Sequence, residues 1–329
     1  MVILYLVQVT LHDLVASAQS SMSEYYAEGS RKNVISHLRQ LCVFCVTFNV
    51  TFLPTSRDTL LGFLDLLSRS CDYDHIKHII ASIRFLHQYK GPDFIGDTFE
   101  FSILNRSLKR KLAKPTKQAL PITPEMMILM YQFVDVKVPR QLAHWTSFIF
   151  ALKLLYRKSS ISPTSLVKFD SKTGFTREKA VLSNNVVLVY QNFSKTNQFM
   201  ATSRVTPLLP SKVLALDPVS HYAKLSAENI VPKDYPAFSF VENNNVKCVT
   251  YSSFTRFLKM LLRKIGLDPD KWSGHSFRRG GASFLYRLGL DPLTIQACGD
   301  WSSNTFLRYL EISFDKLWSA QQSLASFSC

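Results

Sequence analysis

Residues 274–309 of the chain are GHSFRRGGASFLYRLGLDPLTIQACGDWSSNTFLRY. This stretch contains the polar side chains that the fold has to bring together. It contains His275, Arg278, Trp301 and Tyr309, none of which a packed helix requires. A guanidinium binds phosphate oxygens bidentately, His and Trp donate hydrogen bonds, and Tyr can act as a covalent nucleophile. The combination therefore predicts a site that holds a phosphate and attacks it.

Sequence motifs for other kinds of phosphate chemistry are missing. The chain has no G-x-x-x-x-G-K-[ST] loop, no G-x-S-x-G elbow, no paired Cys/His metal spacing and no acidic cluster suited to two-metal phosphoryl transfer. We therefore expect neither a metal nor another cofactor. Cys42 and Cys45 form a C-x-x-C pair inside an apolar helical run and are interpreted as a buried structural pair. His75 and His78 are interpreted as a helix-face pair that lacks ligand partners.

The composition indicates a folded and strongly basic protein. The 329 residues suit two domains, and 47% hydrophobic residues can build their cores. Lys and Arg number 39 against 24 Asp and Glu, which gives a formal net charge of +15. That excess is typical of nucleic-acid binding, although a generally basic protein of another function would have the same balance.

Cysteine usage and hydropathy bear on the location of the protein. Six scattered cysteines favour a reduced, intracellular protein over a disulfide framework. The apolar opening segment is interrupted by His12 and Asp13, well short of the about 20 residues that a membrane span needs. We therefore expect a soluble protein with no membrane contact.

The first part of the chain is helical by periodicity. Four amphipathic patterns begin near Ser30, Thr55, Asp72 and Thr98, with apolar residues at three- and four-residue steps. Thr55 and Ser56 are possible caps of the second pattern, and Gly91 is predicted to end the third. These patterns predict a small helical bundle.

The best domain boundary follows the fourth pattern. Pro115 and Pro121 interrupt the helix, and TPEMM begins another with Thr123 as its cap and Pro124 at its first position. We predict an N-terminal segment of undetermined role over 1–19, a helical domain over 20–114 and a second domain with a tail helix over 115–329.

Six basic residues and no acidic one lie beside this boundary, between positions 106 and 117. Such a run is commonly a solvated surface, but between two domains it would suit contact with a DNA backbone. The predicted DNA-binding residues are Arg106, Lys109, Arg110, Lys111, Lys114, Lys117 and, from the opening stretch, Arg279.

The second domain mixes helices with strands. An apolar helix beginning at Ala143 is predicted to end near Arg157, and 184–210 predicts two strands on either side of a turn at SKTNQ. Further helices are predicted over 216–227, 252–266, 276–289, 292–299 and 303–327. The predicted fold class is mainly α with a small antiparallel β-sheet, that is, α+β.

Four motifs together carry a resemblance to a known family: GHSFRRGGAS, GDWSSNTFLRYLE, LLYRKSSISP and FSKTNQ resemble the tyrosine recombinase (phage integrase) superfamily. The resemblance covers nearly the whole chain. The helical first domain is similar to that family's core-binding (SAM-like) domain, and ALPITPEM is similar to the usual beginning of its catalytic domain. The chain most resembles recombinases of eukaryotic Crypton and DIRS/Ngaro-type mobile elements.

The resemblance implies a set of catalytic residues. They are Arg157 as the first arginine, Lys195 as the hairpin lysine, His275 and Arg278 as the H-x-x-R pair, Trp301 as the following His or Trp, and Tyr309 as the nucleophile. Arg278 is preferred to Arg279 because it lies three residues after His275. Tyr286 is a weaker candidate nucleophile because it lies within the helix that follows H-x-x-R. Taken singly, Trp301 could also be a core residue and Lys195 an ordinary turn lysine.

Two positions depart from the family pattern. Ser160 stands where many members have an acidic residue, so a contact to Arg157 is expected to differ. The step from Trp301 to Tyr309 is eight residues, one fewer than in many bacterial and phage members.

The implied function is that of a site-specific recombinase or integrase. Such an enzyme cuts and rejoins double-stranded DNA through a 3′-phosphotyrosine link, without metal or ATP. An apolar stripe in the tail is predicted either to pack on its own domain or to dock on a neighbouring protomer, as a dimer on each site and a tetramer on paired sites. Nuclear localisation is expected from the substrate. Two alternatives stay open: a domesticated or inactive DNA-binding protein of the same fold, and a type IB-like topoisomerase.

Overall fold

The computed structural model describes residues 28–114, 118–192 and 203–309, together with 318, 321–322 and 325–326. The chain forms two compact units, Met1–Lys117 and Gln118–Cys329. The predicted segment 1–19 lies outside the described residues, and so does the predicted tail helix beyond Tyr309, apart from positions 318, 321–322 and 325–326.

The first unit is a helical bundle over its described part, as the periodicity predicts. Its helices are α1 (Glu28–Phe48), α2 (Arg57–Ser68), α3 (Tyr73–Lys90) and α4 (Phe99–Lys111), with a 3-10 turn at Ile95–Asp97 before α4. The side chain of Ser56 caps α2 by accepting the N–H of Thr59. Gly91 ends α3 in the left-handed conformation, with a φ of 98°.

The core of this bundle forms where the apolar faces of α1, α2 and α3 meet, with Leu41, Leu60 and Ile79 fully buried. Cys45 is buried on the same face as Leu41, but Cys42 is exposed, so the prediction of a buried pair is wrong for Cys42. Successive helical residues are about 100° apart, so Leu41 and Cys45, four residues apart, share the inner face while Cys42 turns towards solvent.

The second unit contains most of the remaining helices. They are α5 (Pro124–Tyr131), α6 (Pro139–Lys153), α7 (Lys158–Ile161), α8 (Pro218–Glu228), α9 (Tyr251–Lys264), α10 (His275–Arg287) and α11 (Pro292–Gly299). Thr123 caps α5 by accepting the N–H of Met126, with Pro124 in the first turn, as predicted.

Helix α6 is the centre of this unit. Every residue from Leu142 to Leu152 is buried. The helix contacts α8, α10 and strand β4 (Ser239–Glu242) on different sides. Its buried polar side chains, His144, Thr146 and Ser147, hydrogen-bond carbonyls of the same helix, so the whole helix can be enclosed.

Two antiparallel sheets lie in the same unit. The larger has the order β1 (Ala180–Ser183), β2 (Val186–Gln191) and β3 (Arg204–Leu208), and the smaller pairs β4 with β5 (Asn245–Cys248). The mainly helical fold with a small antiparallel sheet is therefore confirmed. The pairing of β2 with β3 is as predicted, whereas β1, β4 and β5 were missed.

Both missed hairpins turn on an Asn pair. Asn184 and Asn185 have positive φ values of 45° and 59°, and Asn243 and Asn244 have 53° and 58°. Two consecutive residues of this kind form the type I′ turn, whose twist matches that of paired strands. The Asn-Asn pair itself was therefore the available sequence signal.

Three predicted helix boundaries are wrong. Helix α6 begins at Pro139 rather than at Ala143. It ends at Lys153 rather than near Arg157, because Leu155 takes a left-handed φ of 55° and the helical hydrogen bonds stop there. The predicted helix over 303–327 begins instead with a 3-10 helix, Asn304–Tyr309. Its tighter winding brings Tyr309 back towards α10, as described below.

Candidate active site

Arg157 lies in the short connection between α6 and α7. Its backbone is extended, with φ −69° and ψ 147°, and its side chain is half-buried. The left-handed Leu155 two residues earlier turns the chain out of α6 and exposes its own carbonyl to a partner. That partner is Arg278, whose Nη1 donates a hydrogen bond to the Leu155 oxygen. The backbone that carries Arg157 is thereby fixed to α10.

Helix α10 carries His275 at its first position and Arg278 one turn later. Two glycines let this helix lie close to its neighbours. A Cβ at Gly280 would lie 1.8 Å from the carbonyl oxygen of Ile122, and one at Gly281 would lie 2.3 Å from that of Leu152. The close approach buries Arg278, whereas His275 at the helix end is exposed.

Arg278 is the most unusual side chain of the unit, because it is charged and only 3% exposed. Its Nη2 is buried and has no hydrogen-bond partner among the described residues. Burial, and then the positive charge of Arg157, lower its pKa to about 9, against the opposing effects of Tyr309 and Asp300. It therefore keeps its charge at neutral pH. Burying a cation with an unpaired donor costs free energy unless an anion binds to it.

Trp301 forms one wall of the arginine pocket. The guanidinium carbon of Arg278 lies 3.8 Å from the centroid of the indole ring, which is a cation–π contact. Gly299 makes room for the ring, because a Cβ there would lie 1.7 Å from it. Asp300 then turns the chain with a left-handed φ of 54°. Trp301 is both a core residue and a wall of the site, so its two interpretations are compatible.

Tyr309 ends the 3-10 helix and is half-buried. Its ring centroid lies 5.9 Å from that of Trp301. Its backbone carbonyl accepts a hydrogen bond from the Ser283 hydroxyl on α10. The fold thus brings Arg157, Arg278, Trp301 and Tyr309 together, although the first and last are far apart in the sequence.

Tyr286, the weaker candidate nucleophile, lies on α10 and packs against the small apolar cluster of Leu155, Ala282, Ile295, Trp301 and Phe306. Tyr309 packs against the same cluster through the ring of Trp301, so both tyrosines border it. Of the two tyrosines, Tyr309 is the one that acts to raise the pKa of the Arg278 guanidinium.

The remaining predicted site residues have different outcomes. Lys195 and Lys117 lie outside the described residues. The other basic residues beside the domain boundary are exposed on and after α4: Arg106, Lys109, Arg110, Lys111 and Lys114. Arg279 is half-buried and donates to the Ala119 carbonyl over 2.9 Å, so part of its guanidinium holds the segment before α5 against α10.

Sequence reasoning missed three residues at the site. Leu155 supplies the carbonyl that Arg278 binds, Ser283 holds the backbone of Tyr309, and Lys158 lies directly after Arg157. Adjacency to Arg157 could have drawn attention to Lys158. No local pattern marks Leu155 or Ser283, because their partners are 123 and 26 residues away.

Two surveys of the described residues complete the picture. None of the described helices is both long and apolar enough to cross a bilayer. Within the same residues, no cluster of three or more His, Cys, Asp or Glu side chains could hold a metal ion.

Comparison with known proteins gives matches among solved structures. No protein-family model matches the sequence, and no curated protein matches it. The Tn1549 transposon integrase in complex with transposon right end DNA is similar over 94% of this chain and 98% of that chain, with 15% identity and a TM-score of 0.58. The XerH site-specific recombinase bound to palindromic difH substrate is similar over 82% of this chain and 70% of that chain, with 13% identity and a TM-score of 0.56.

A third likeness is to a lambda integrase dimer bound to a COC′ core site. It covers 92% of this chain and 96% of that chain, with 13% identity and a TM-score of 0.55. At such low identity these likenesses concern the fold. The chain has the fold of tyrosine recombinases and integrases.

Proposed function

We propose that this protein cuts and rejoins duplex DNA as a tyrosine recombinase, with Tyr309 as the nucleophile. The observation that carries the proposal is the buried guanidinium of Arg278, which has an unused Nη2 and lies beside Trp301, Arg157 and Tyr309. A phosphodiester oxygen is negatively charged and can accept the hydrogen bond that this unpaired donor offers. The recombinase fold supports the same conclusion.

The proposed site binds the scissile phosphate before it reacts. Arg278 donates Nη2 to one non-bridging oxygen while Nη1 stays on the Leu155 carbonyl. Arg157 adds a second positive charge, and His275 at the exposed end of α10 adds a hydrogen bond. Negative charge grows on these oxygens as the phosphorus becomes five-coordinate. Preorganised donors in a site with little water stabilise that charge most.

The chemical step exchanges one phosphoester bond for another. The Tyr309 oxygen attacks phosphorus and releases its proton to water, and the bond from phosphorus to O5′ breaks. The departing O5′ takes up a proton, for which Lys195 is the proposed donor. The products are a 3′-phosphotyrosine link and a free 5′-hydroxyl. A 5′-hydroxyl from the same or a partner strand reverses the step. Because the bond energy is kept in the ester, the cycle needs no ATP. The cationic side chains stabilise the charge on the phosphate oxygens in place of a metal.

The first unit is proposed to bind DNA as a core-binding domain, with the exposed cations on and after α4 against the backbone. Strand exchange between two sites would require a dimer on each site and a tetramer on the pair. We further propose nuclear localisation, because the substrate is DNA, and an origin in a Crypton or DIRS/Ngaro-type mobile element. The eight-residue step from Trp301 to Tyr309, which is typical of that branch, supports the proposed origin.

Covalent trapping tests the proposal. The full chain is incubated with nicked and sheared genomic DNA in EDTA without ATP, denatured, and probed for protein–DNA adducts. We expect an adduct with the wild type and with Tyr286→Phe, and none with Tyr309→Phe. An adduct that persists in Tyr309→Phe overturns the proposal.

Two further results would favour the alternatives. Salt-sensitive DNA binding without any adduct favours a DNA-binding protein that keeps only the fold. Relaxation of a supercoiled plasmid of arbitrary sequence, dependent on Tyr309, favours a topoisomerase. Sequencing the trapped DNA ends separates recombination at a defined site from both.

A further inference from the structure

An open groove of about 530 Å³ lies in the second unit, between α7 and the exposed face of α9. Of the seven described residues that line it, four are cationic and none is acidic. The four are Lys158, Arg256, Lys259 and Arg263. No step of the proposed reaction uses them.

The three cations on α9 form a row. Arg256, Lys259 and Arg263 are spaced three and four residues apart, which places them on one face of the helix over about 10 Å. Lys259 pairs with the exposed Asp270 at 2.7 Å, which is a weak interaction in water. Arg256 and Arg263 are exposed, and Asp270 is close enough to Arg263 for that arginine also to lower the pKa of its carboxyl. One carboxylate thus offsets part of the charge of three cations, and the row presents a net positive charge.

Lys158 is held in place at the end of the groove nearest the candidate active site. Its Nζ donates to the Thr255 hydroxyl over 2.7 Å and lies 3.3 Å from the centroid of the Tyr251 ring. A Cβ at Gly274 would lie 2.6 Å from the Lys158 side chain, so the glycine before His275 leaves room for it. Lys158 also follows Arg157 directly, so the groove begins where the site ends.

We propose that this groove binds backbone phosphates of the DNA next to the scissile one, with Lys158 as the contact nearest the site. The proposal rests on the proposed function for the identity of the ligand. A duplex carries one charge per about 1.7 Å of its axis, so a row of cations about 10 Å long can face several phosphates at once. The fixed position of Lys158 lowers the entropy cost of that contact, since its ammonium is already ordered.

Salt-dependent DNA binding by the full chain tests the groove. Fluorescence anisotropy with a labelled 30-base-pair duplex of arbitrary sequence gives the affinity between about 50 and 200 mM salt, the range over which phosphate contacts are strongly screened. The variants are Lys158→Gln and Arg256→Gln. The matched control is Lys224→Gln on α8, whose ammonium pairs with Glu228 at 3.5 Å and lies outside the groove lining.

We expect each groove variant to weaken binding several-fold and to reduce the slope of log affinity against log salt by about 0.9, which corresponds to one lost phosphate contact. The loss of affinity should be equal for duplexes of different sequence. The control should leave affinity and slope unchanged. Melting temperatures of all variants identify any that fail to fold, and Arg256→Gln, at an exposed position, keeps the test valid if Lys158→Gln does not fold.

The outcomes separate this inference from the proposed function. Unchanged slopes in both groove variants overturn the inference even if the wild type forms the Tyr309 adduct. A loss that depends on duplex sequence also overturns it, because it assigns the groove to base contacts. Reduced slopes in a protein that forms no adduct support the groove and count against the recombinase reaction alone. A wild type that binds no duplex overturns both.

Discussion

The guanidinium of Arg278 lies over the indole ring of Trp301, with 3.8 Å between the guanidinium carbon and the ring centroid. The ring covers one face of the cation, and the Leu155 carbonyl takes Nη1. What is left is the Nη2 edge, which is buried and has no partner among the described residues. Leu155, Arg278 and Trp301 are far apart in the sequence. They therefore meet only after α6, α10 and the segment after α11 have packed together.

Replacing Arg278 by Lys tests whether the guanidinium shape is required. An ammonium keeps the charge but cannot bind the Leu155 carbonyl and a phosphate through one rigid fork. We expect Arg278→Lys to lower the rate of adduct formation about 100- to 1000-fold, as for the loss of one transition-state donor. Single-turnover trapping measures it.

The control for Arg278→Lys lies on the same helix. Arg287 pairs with Glu125 at 3.0 Å and its side chain is 55% exposed. Arg287→Lys should cleave at the wild-type rate. Equal rates in the two variants would mean that Arg278 contributes charge alone.

Ser283 is expected to position Tyr309 without touching DNA. Its hydroxyl donates to the Tyr309 carbonyl and so fixes the end of the 3-10 helix to α10. Losing one hydrogen bond of about 1 kcal/mol should lower the single-turnover cleavage rate about fivefold in Ser283→Ala. Affinity for duplex DNA should stay the same, and Ser283→Thr should restore the rate.

A remote serine controls for a general structural loss. Ser239 is buried and its hydroxyl donates to the Pro236 carbonyl over 2.7 Å, away from the site. Ser239→Ala should leave the cleavage rate unchanged. A positioning role for Ser283 is refuted if Ser239→Ala slows cleavage as much, or if Ser283→Thr fails to restore it.

Gly280 is expected to tolerate no side chain. A Cβ there would lie 1.8 Å from the Ile122 carbonyl oxygen, and the Ile122 N–H donates to the Ser276 carbonyl over 2.9 Å. Gly280→Ala would push this segment off α10, and we expect it to lower the free energy of unfolding of the second unit by about 3 kcal/mol. Urea unfolding followed by tryptophan fluorescence reports on this unit, since all four Trp residues follow Gln118 in the sequence.

Gly62 gives the opposite expectation in the first unit. A Cβ there would lie 3.4 Å from the Phe44 ring, which is ordinary contact. Because Gly62 lies inside α2, Gly62→Ala should stabilise that unit by up to about 1 kcal/mol. Circular dichroism during thermal unfolding measures it. Destabilisation by Gly62→Ala as large as that by Gly280→Ala would refute the role assigned to the close approach.

His144 should make the stability of the second unit depend on pH. Burial lowers its pKa to about 4, and its Nδ1 donates to the Arg140 carbonyl over 2.7 Å. An unfolded histidine has a pKa of about 6.5. The unfolded chain therefore takes up a proton first as the pH falls. Stability from this group is complete above about pH 6.5 and is lost towards about pH 4, by about 2 kcal/mol between pH 7 and pH 5.

Comparison with His144→Gln isolates this contribution, because burial also lowers the pKa of His221 and the two effects have the same sign. Urea unfolding at pH 7 and pH 5, again by tryptophan fluorescence, should show a smaller pH dependence in the variant. The same pH dependence in both proteins would exclude His144 as the source.

The sequence predicted features that depend on neighbours along the chain. Helix periodicity gave α1 to α4, and short-range chemistry gave the cap at Ser56, the stop at Gly91 and the start at Pro124. Each of these involves residues within about one helical turn, so a short window of sequence contains the whole cause. The H-x-x-R spacing was enough to prefer Arg278 to Arg279.

The tertiary structure decided what those residues do. Arg278 and Arg279 are adjacent on α10, yet one is enclosed by Trp301 and the other donates to the Ala119 carbonyl. Leu155 and Ser283 have no marking pattern at all, because they act through backbone groups brought close by packing. Burial and partner choice depend on which elements meet across α6 and α10. Local propensity determined the helices of this protein, and only long-range packing determined the charge environment of its site.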